Sequence, residues 1–400
     1  MPDSALAGIR VVEVGNFMAA PFCTLQLADL GADVVKVENP DGGDQVRNAA
    51  PFLQGESSSF VRLNRNKRSL ALNLKSPRGK EVFRKLMKRA DVLVENLRPG
   101  TMADLELDYP RLSELNPRLV YVAASGWGQD GPYAQRPGLD IMAQGMSGLM
   151  SITGEEGGQA PVKVGVPLTD LTCALYGALA AVAALRVRDR TGRGQFIDVC
   201  LLEAGVSLAV WEAGRYFATG EVPKPLGSAH QNSAPYQALL ASDGFFTLGA
   251  TTARNWEACC DVFGLAGLKQ DPRFAKDHLR HQNRAELIPL IEAITVRQPA
   301  RHWVEALEGA GVPCGLLQTY DQVFADPHLN ARGFFPEAPH ATLGPVKQIG
   351  SPMRMSETPV RMERAGPLLG QHSAQVLAEL GYSRDEIGKL AAAGVIREPR

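Results

Sequence analysis

The residue best placed to do chemistry is Asp170, a lone acid at the head of the apolar stretch in VGVPLTDLTCALYGALAAVAAL. A carboxylate at a helix N-terminus is kept ionised by the helix dipole, and the ordinary aspartate value of about 3.9 already favours the anion at neutral pH. At the edge of an apolar wall such a group is a usable nucleophile. Ala174 and Gly177, four and seven residues on, share its helix face and are small enough to leave room for a bulky substrate. The same spacing also suits a cap, since Thr169 or Asp170 could simply close the helix. Spacing alone does not separate the two roles.

Other motifs carry less. GWGQDG at 126–131 matches G-x-G-x-x-G directly after the strand-like LVYVAAS. A dinucleotide fingerprint needs a helix to open at its end, and Pro132 and Pro137 argue against one, so a loop of glycine turns on the substrate side is expected. Basic residues able to hold the phosphates of a large anionic ligand occur singly, at Lys67-Arg68, Lys75, Arg98 and Arg136, and each reads more readily as a solvated surface charge. His278 and His281 have i, i+3 spacing without a third ligand nearby, so no metal site is expected. His230, in GSAHQ, suits a polar substrate contact or a hydrogen-bonded loop. Gly-x-Ser-x-Gly and a P-loop are both absent, which leaves a serine hydrolase elbow or a nucleotide phosphate cradle unsupported.

The elements that must position these residues follow from the pattern. β-Branched runs (GIRVVEV, DVVKVE, SLALNL, DVLVE, LVYVAAS) alternate with amphipathic stretches from residue 8 to about 125, which implies βαβ units and a doubly wound parallel sheet, Rossmann-like in class. Ser76-Pro77 punctuates the start of one helix, PRGKEVFRKLMKRA. FIDVCLLEA reads as a buried strand or the start of a helix, and the sheet domain is expected to end near 205. A loop-like stretch (GEVPKPLGSAHQ) precedes a smaller α+β domain, and the tail from Gly366 reads as two short amphipathic helices joined at Gly381.

Forty-two basic residues against 43 acidic ones give a net charge of −1, so no global field draws nucleic acid or an anionic membrane. Cys23, Cys173, Cys200, Cys259, Cys260 and Cys314 show no CxxC spacing, and a reduced, cytoplasmic setting fits. MPDSALAGIRVVEV enters a strand at once, without signal-peptide features, so the mature chain is expected to start there. Leu171 to Val187 approaches transmembrane length but is short and solitary and begins beside Asp170; a buried core helix is expected.

Taken together, LAGIRVVEVGNFMAAPFCTLQLADLGADVVKVENP, NRNKRSLALNLKSPRGKE, ADVLVENLRPG, RPGLDIMAQGMSGLM, TGRGQFIDV and GPLLGQHS closely resemble the class III CoA-transferase family, CaiB/BaiF in type. The likeness runs over nearly the whole chain. It implies that Asp170 is the nucleophile, with capping secondary. Asp170 would attack a donor thioester to give an acyl-aspartyl anhydride and free CoA thiolate, which returns to form an aspartyl-CoA thioester that the acceptor acid opens in reverse order. Backbone N–H groups of nearby glycine turns would steady the oxyanions. Coenzyme A enters as a thioester substrate, and no tightly bound cofactor is implied.

By block position the resemblance places CoA contacts on Leu72, Lys75, Asn96, Arg98 and Arg136, with Phe17 and Asn39 beside them, and acyl-side residues on Met18, Leu139 and His230. Met18 stands where the oxalate branch has glutamine, Asn39 and Asp104 where it has arginines, and Leu139 where it has tyrosine, which disfavours oxalate. GSAHQNSAPYQA, GLMSITG and GVPLTDL look most like the succinyl-CoA:glutarate branch, so succinyl-CoA as donor and a short dicarboxylic acid as acceptor are expected. The alternatives are an α-methylacyl-CoA racemase, which needs a histidine where Leu139 stands, and a non-catalytic CoA-binding protein. Family architecture implies an interlocked homodimer, with a large domain of residues 1–205 completed by 331–400, a linker over 206–229 and a small domain over 230–330.

Overall fold

A computed structural model describes residues 4–399 of the chain. The chain divides into two compact units, the larger made of residues 1–149, 163–218 and 328–400 and the smaller of 150–162 and 219–327.

In the larger unit the five β-branched runs become β1 (Arg10–Val14), β2 (Asp33–Glu38), β3 (Lys67–Leu72), β4 (Val92–Glu95) and β5 (Val120–Ser125), and of the two readings of FIDVCLLEA the strand is found for its first half, as β6 (Phe196–Cys200). All six are parallel, in the order β3-β2-β1-β4-β5-β6, and the short strand Ile396–Arg397 adds antiparallel to the outer side of β3. The strand order reverses between β1 and β4.

The helices of this unit include α1 (Ala19–Asp29), α2 (Pro77–Met87), α3 (Tyr109–Leu115), α4 (Asp140–Met146), α5 (Leu168–Thr191), α6 (Leu201–Ser207) and α7 (Val210–Thr219). Ser76 caps α2 by accepting from the Gly79 N–H at 3.0 Å, with Pro77 in the first turn. Successive strand residues point to opposite faces. Val11, Val34, Val94 and Val122 therefore pack with Leu27 of α1 and Ala174, Ala178 and Ala181 of α5, while Val12, Val35, Leu70 and Leu93 pack with Phe83 and Met87 of α2 and with the C-terminal tail. The tail forms helices Ser373–Glu379 and Arg384–Ala392 that place Val376, Leu377, Ile387 and Leu390 in that second core, turning at Gly381 with φ +89°.

Between the carboxyl half of β1 and its neighbours lies a charge cluster with no solvent access. Lys36 Nζ meets Glu13 Oε1 at 2.5 Å, Asp44 Oδ2 at 2.8 Å and the Gly15 carbonyl at 2.9 Å. Lys67 Nζ meets Glu13 Oε2 at 2.8 Å, the Pro21 carbonyl at 2.7 Å and Asn64 Oδ1 at 2.9 Å. Arg68 pairs with Asp33 and Glu379. Lys67 and Arg68 are thus structural cations, which removes them from the possible phosphate ligands.

α5 corrects the expectation of a buried core helix. Among the described residues it is the one helix long and apolar enough to cross a membrane by length and composition. Its alanine face lies on the sheet, but Leu175, Tyr176, Leu179, Val182 and Val187 are exposed on the other side. α7 has no buried residue, and Trp211 and Phe217 are 64% and 82% exposed. A helix packed on one side only needs apolar residues on just that side, so the second apolar side is left over after folding.

The smaller unit is built on the antiparallel strands β7 (Tyr236–Ala241), β8 (Gly244–Gly249) and β9 (Cys314–Leu316), in the order β9-β8-β7. Helices α8 (Ala253–Val262), α9 (Arg284–Thr295) and α10 (Ala300–Gly309) close a core around Phe246, Trp256, Ile291 and Trp303. The boundaries differ from the expected ones: residues 219–229, read as linker, fall in the smaller unit and 328–330, read as small domain, in the larger, and two further differences are longer. Residues 206–218, read as linker, belong to the larger unit and contain most of α7. Residues 150–162, read as part of the large domain, belong to the smaller unit, where the Gly227 N–H donates to the Gly154 carbonyl at 2.9 Å and Arg284 pairs with Glu156.

Candidate active site

Because β1 to β6 are parallel, the segments leaving their carboxyl ends emerge along one edge of the sheet, and an open α/β sheet binds ligands there, where the strand order reverses. Phe17 and Met18 follow β1, Asn39 follows β2, Leu72 ends β3 with Lys75 just beyond, Asn96 and Arg98 follow β4, and Arg136 and Leu139 lie in the loop after β5. α5 joins β6 through the short turn 192–195, with Gly192 at φ +74°, and so runs back against that strand. Asp170, in its first turn, therefore lies at the same carboxyl edge.

The carboxyl of Asp170 is half-buried and has no hydrogen-bond or ion-pair partner among the described residues. Burial pushes it up to about 7, and the nearby Asp140 carboxylate pushes in the same direction. This runs against the expectation of a carboxyl held firmly ionised at the helix head: burial and the Asp140 charge both disfavour the anion. The anion that does form is poorly solvated, which makes it the more reactive towards a carbonyl carbon.

Neither Thr169 nor Asp170 caps α5. The Asp140 side chain does so from α4: its Oδ1 accepts from the Thr169 N–H at 2.9 Å and from the Thr169 hydroxyl at 2.7 Å, while Oδ2 accepts from Gln144 Nε2 at 2.7 Å. Gln144 in turn accepts the Val164 N–H through Oε1 at 2.9 Å, fixing the segment that leads into α5. A Cβ at Gly205 of α6 would come within 2.7 Å of Ser147 Oγ and 3.0 Å of Thr169 Cγ2, so this glycine lets α6 close on the same corner.

Ala174 and Gly177 do not leave room for a substrate. Ala174 is 1% exposed, and a Cβ on Gly177 would lie 3.3 Å from Cys23 Sγ and 3.4 Å from Val122 Cγ1, so both residues permit close packing of α5 on α1 and the sheet. The thiols beneath Asp170 are not rival nucleophiles, because burial pushes Cys23 up to about 12 and raises Cys173 as well. A cavity of about 420 Å³ lies between α5, β6 and α6, lined by Cys173, Tyr176, Leu179, Asp198 and Glu203. Asp170 is not among its lining residues, and two acids suit it poorly to an anionic ligand.

The remaining residues of the larger unit fall into three groups. Lys75, Arg98 and Arg136 are exposed and make no ion pair among the described residues, and Arg136 lies over the Tyr133 ring at 3.9 Å. Phe17, Met18, Asn39 and Leu139 offer accessible surface; Phe17 stands at φ +59° and is 49% exposed, and Leu139 is 66% exposed. Leu72 and Asn96 are committed elsewhere. The Leu72 side chain is 1% exposed in the core, so only its main chain can face a ligand, and the Asn96 carboxamide is engaged with the main chain of Asn16. In the smaller unit His230 stacks on Tyr236 with ring centroids 4.8 Å apart and accepts the Asn232 N–H through Nδ1 at 3.1 Å.

GWGQDG forms turns at Gly128 and Gly131, with φ +96° and +82°, and no helix opens until Asp140. The Gly128 and Gln129 N–H groups donate to Ser125 Oγ and Asp198 Oδ2, so they are not available as the oxyanion donors expected of nearby glycine turns.

Comparison with known proteins agrees with this geometry. The profile of CoA-transferase family III matches residues 6–373. The chain belongs to that family. Similar members include the succinyl-CoA:glutarate CoA-transferase of Mus musculus, 38% identical over 98% of this chain and 90% of the relative. The succinate–glutarate CoA-transferase of Agrobacterium fabrum is 40% identical over 94% of this chain and 95% of its own. Among solved structures, a CAIB/BAIF family protein from Brucella suis superposes with a TM-score of 0.84 at 38% identity, covering 94% of this chain and all of that one.

As a family III CoA-transferase the protein acts on CoA thioesters. The three unpaired cations at the carboxyl edge have the charge to meet the phosphates of such a substrate. Sequence reading passed over Asp140, Gln144 and Asn16. A usable signal was present for the first two, an acid in the first turn of DIMAQGM with a glutamine four residues on, on the same helix face.

Proposed function

We propose that this enzyme moves coenzyme A from succinyl-CoA to a short dicarboxylic acid of the glutarate class, through a thioester on Asp170. The observation that carries the reading is a carboxyl without a protein partner, half-buried at the head of α5 on the carboxyl edge of the sheet. The names of the mouse and Agrobacterium relatives support the choice of acids.

The ionised Asp170 attacks the succinyl carbonyl, forming a mixed anhydride as the C–S bond breaks and CoA thiolate leaves. The thiolate attacks the aspartyl carbonyl, releasing succinate and leaving aspartyl-CoA. The acceptor carboxylate then attacks that thioester, CoA leaves again, and its attack on the acceptor's acyl carbon regenerates Asp170. No water enters, so the free energy of the thioester is conserved. Lys75, Arg98 and Arg136 hold the CoA phosphates, the Phe17 and Asn96 loops border its path, and Met18 and Leu139 shape the acyl side. Leu139 offers no proton acceptor, which leaves the racemase reading without its second base.

The Rossmann-like assignment of the larger unit rests on its strand order. We place the enzyme in the cytoplasm, a setting its free thiols suit. We also propose an interlocked homodimer in which the second copy covers the exposed apolar side of α5 and α7.

The test is mass spectrometry of products from succinyl-CoA offered glutarate, mesaconate, itaconate, malate, oxalate and carnitine. A new acyl-CoA from one dicarboxylate, with no net hydrolysis, is expected, and Asp170→Ala should abolish it. Near-normal turnover by that variant would remove Asp170 from the mechanism.

A further inference from the structure

Resting on the reading of Asp170 as nucleophile, we infer that Asp140 is its positioning residue: one carboxylate both closes the head of α5 and sets a negative charge beside the nucleophile. The two roles use the same group in different ways. Through Oδ1, Asp140 takes the Thr169 N–H and hydroxyl, so the residue immediately before the nucleophile is held by two hydrogen bonds to another helix. Through Oδ2 it is held by Gln144, whose own Oε1 holds Val164, so α4, the lead-in segment and the first turn of α5 form one hydrogen-bonded corner. The Thr169 side chain is fully buried in this corner. The orientation of Asp170 on its helix is thereby fixed by a carboxylate, where a serine or threonine cap would have served the geometry alone.

A carboxylate adds negative charge beside a group that must itself be negative to react. The titratable groups on elements packed against α5 are Cys23 and Asp29 on α1, Asp140 on α4, Tyr121 on β5, Asp198 and Cys200 on β6 and Glu203 on α6, while Cys173 and Tyr176 follow Asp170 on α5 itself. Of all these neighbours, Asp140 is the one that acts with burial to raise Asp170. Lys163, the cation of the lead-in segment, donates to the Val164 carbonyl and makes no ion pair with either acid. The consequence is a nucleophile that is basic and poorly solvated when ionised, and partly protonated near neutral pH.

Asp140→Asn removes the charge while the amide oxygen still accepts from Thr169, and of the corner's bonds only the one from Gln144 Nε2 is lost. The acid limb of kcat/KM should move down by roughly one pH unit in this variant, with kcat on the alkaline plateau lower because the nucleophile is less basic. Asp140→Ala loses the cap as well, and its plateau kcat should fall about tenfold below that of Asp140→Asn. A readout independent of turnover is the ¹³C titration of the Asp170 carboxyl in aspartate-labelled protein, assigned by comparison with Asp170→Asn. A titration midpoint that drops in Asp140→Asn supports the inference even if no acyl-CoA product is ever found, in which case the CoA-transfer reading is the one that fails. Unchanged midpoint and acid limb in a folded Asp140→Asn enzyme would overturn it.

Discussion

Asn96 grips the main chain of Asn16 from both sides, its Oδ1 accepting the Asn16 N–H at 3.0 Å and its Nδ2 donating to the Asn16 carbonyl at 2.9 Å. The two residues follow β4 and β1, the strands between which the sheet order reverses. A Cβ at Gly15 would lie 2.6 Å from Asn96 Oδ1, so the clasp closes only over glycine. Phe17, next in line, is held at its positive φ by Asp44 Oδ1, which accepts its N–H at 3.2 Å.

Asn96→Ala should therefore act on substrate binding more than on chemistry. Leaving both Asn16 groups unpaired costs about 1–3 kcal/mol, and the expected result is a KM for acyl-CoA raised about tenfold with a smaller change in kcat. Steady-state kinetics decides this, and an unaltered KM would detach this loop from the CoA path.

Glu13 balances two lysines that have no access to water. Burial alone would raise its carboxyl, but Lys36 and Lys67 together hold it down at about 2. A depressed carboxyl contributes stability that is present above the unfolded pKa of about 4.5 and lost as pH falls towards 2. Glu13→Gln should cost about 3–5 kcal/mol at pH 7 by leaving buried positive charge uncompensated. Urea unfolding measures it, and a loss below about 1 kcal/mol would mean that the cluster is not the support for β1 described above.

Asp170 has the opposite sign. Its folded value near 7 lies above the unfolded 3.8, so between those values the native state binds more protons than the unfolded one. Stability then falls as pH rises from about 4 to about 7, and the cost is full above that. Asp170→Asn should melt a few degrees higher than the parent at pH 8, with the difference vanishing near pH 4. Equal melting points at both pH values would contradict a buried, strained carboxyl.

The exposed side of α5 and α7 predicts the assembly. The protein should run as a dimer in light scattering, and two differently tagged preparations should not exchange subunits until denaturant is added. Leu179→Lys, which puts a charge on a residue 65% exposed in the single chain, should lower the unfolding midpoint in a concentration-dependent manner. A freely exchanging or monomeric parent would exclude interlocking.

Much of the fold was legible because it is written in local pattern. Runs such as DVVKVE and VYVAAS have one structural solution between amphipathic helices, and five of the six parallel strands fall on such runs, the sixth on FIDVC, which read as a strand or as the start of a helix. Asp170 was legible as a lone acid at the head of a helix. Its environment was not. The Asp140–Thr169 contact joins residues 29 apart, and the Glu13–Lys67 pair spans 54, so neither leaves a trace in local spacing. Small residues misled for a related reason: Gly177 reads as open space in one dimension but is filled by Cys23 and Val122 in three. Leu72 and Asn96 were placed in the right segments, yet which atoms of a segment remain for a ligand depends on what the rest of the chain has already claimed.

The outer strand of the large sheet has a bearing on biosynthesis. β3 is paired on its far side by Ile396–Arg397, and the Ala71 N–H is taken by Ser373 Oγ at 3.1 Å. More than 300 residues separate β3 from these partners, and the whole of residues 219–327 is translated in between. During synthesis β3 is therefore an open strand edge, the kind of surface that recruits other chains. The smaller unit can be fully made while the larger one still waits for its last few residues, so a nascent chain stalled short of residue 396 presents an unsealed sheet to the quality-control machinery.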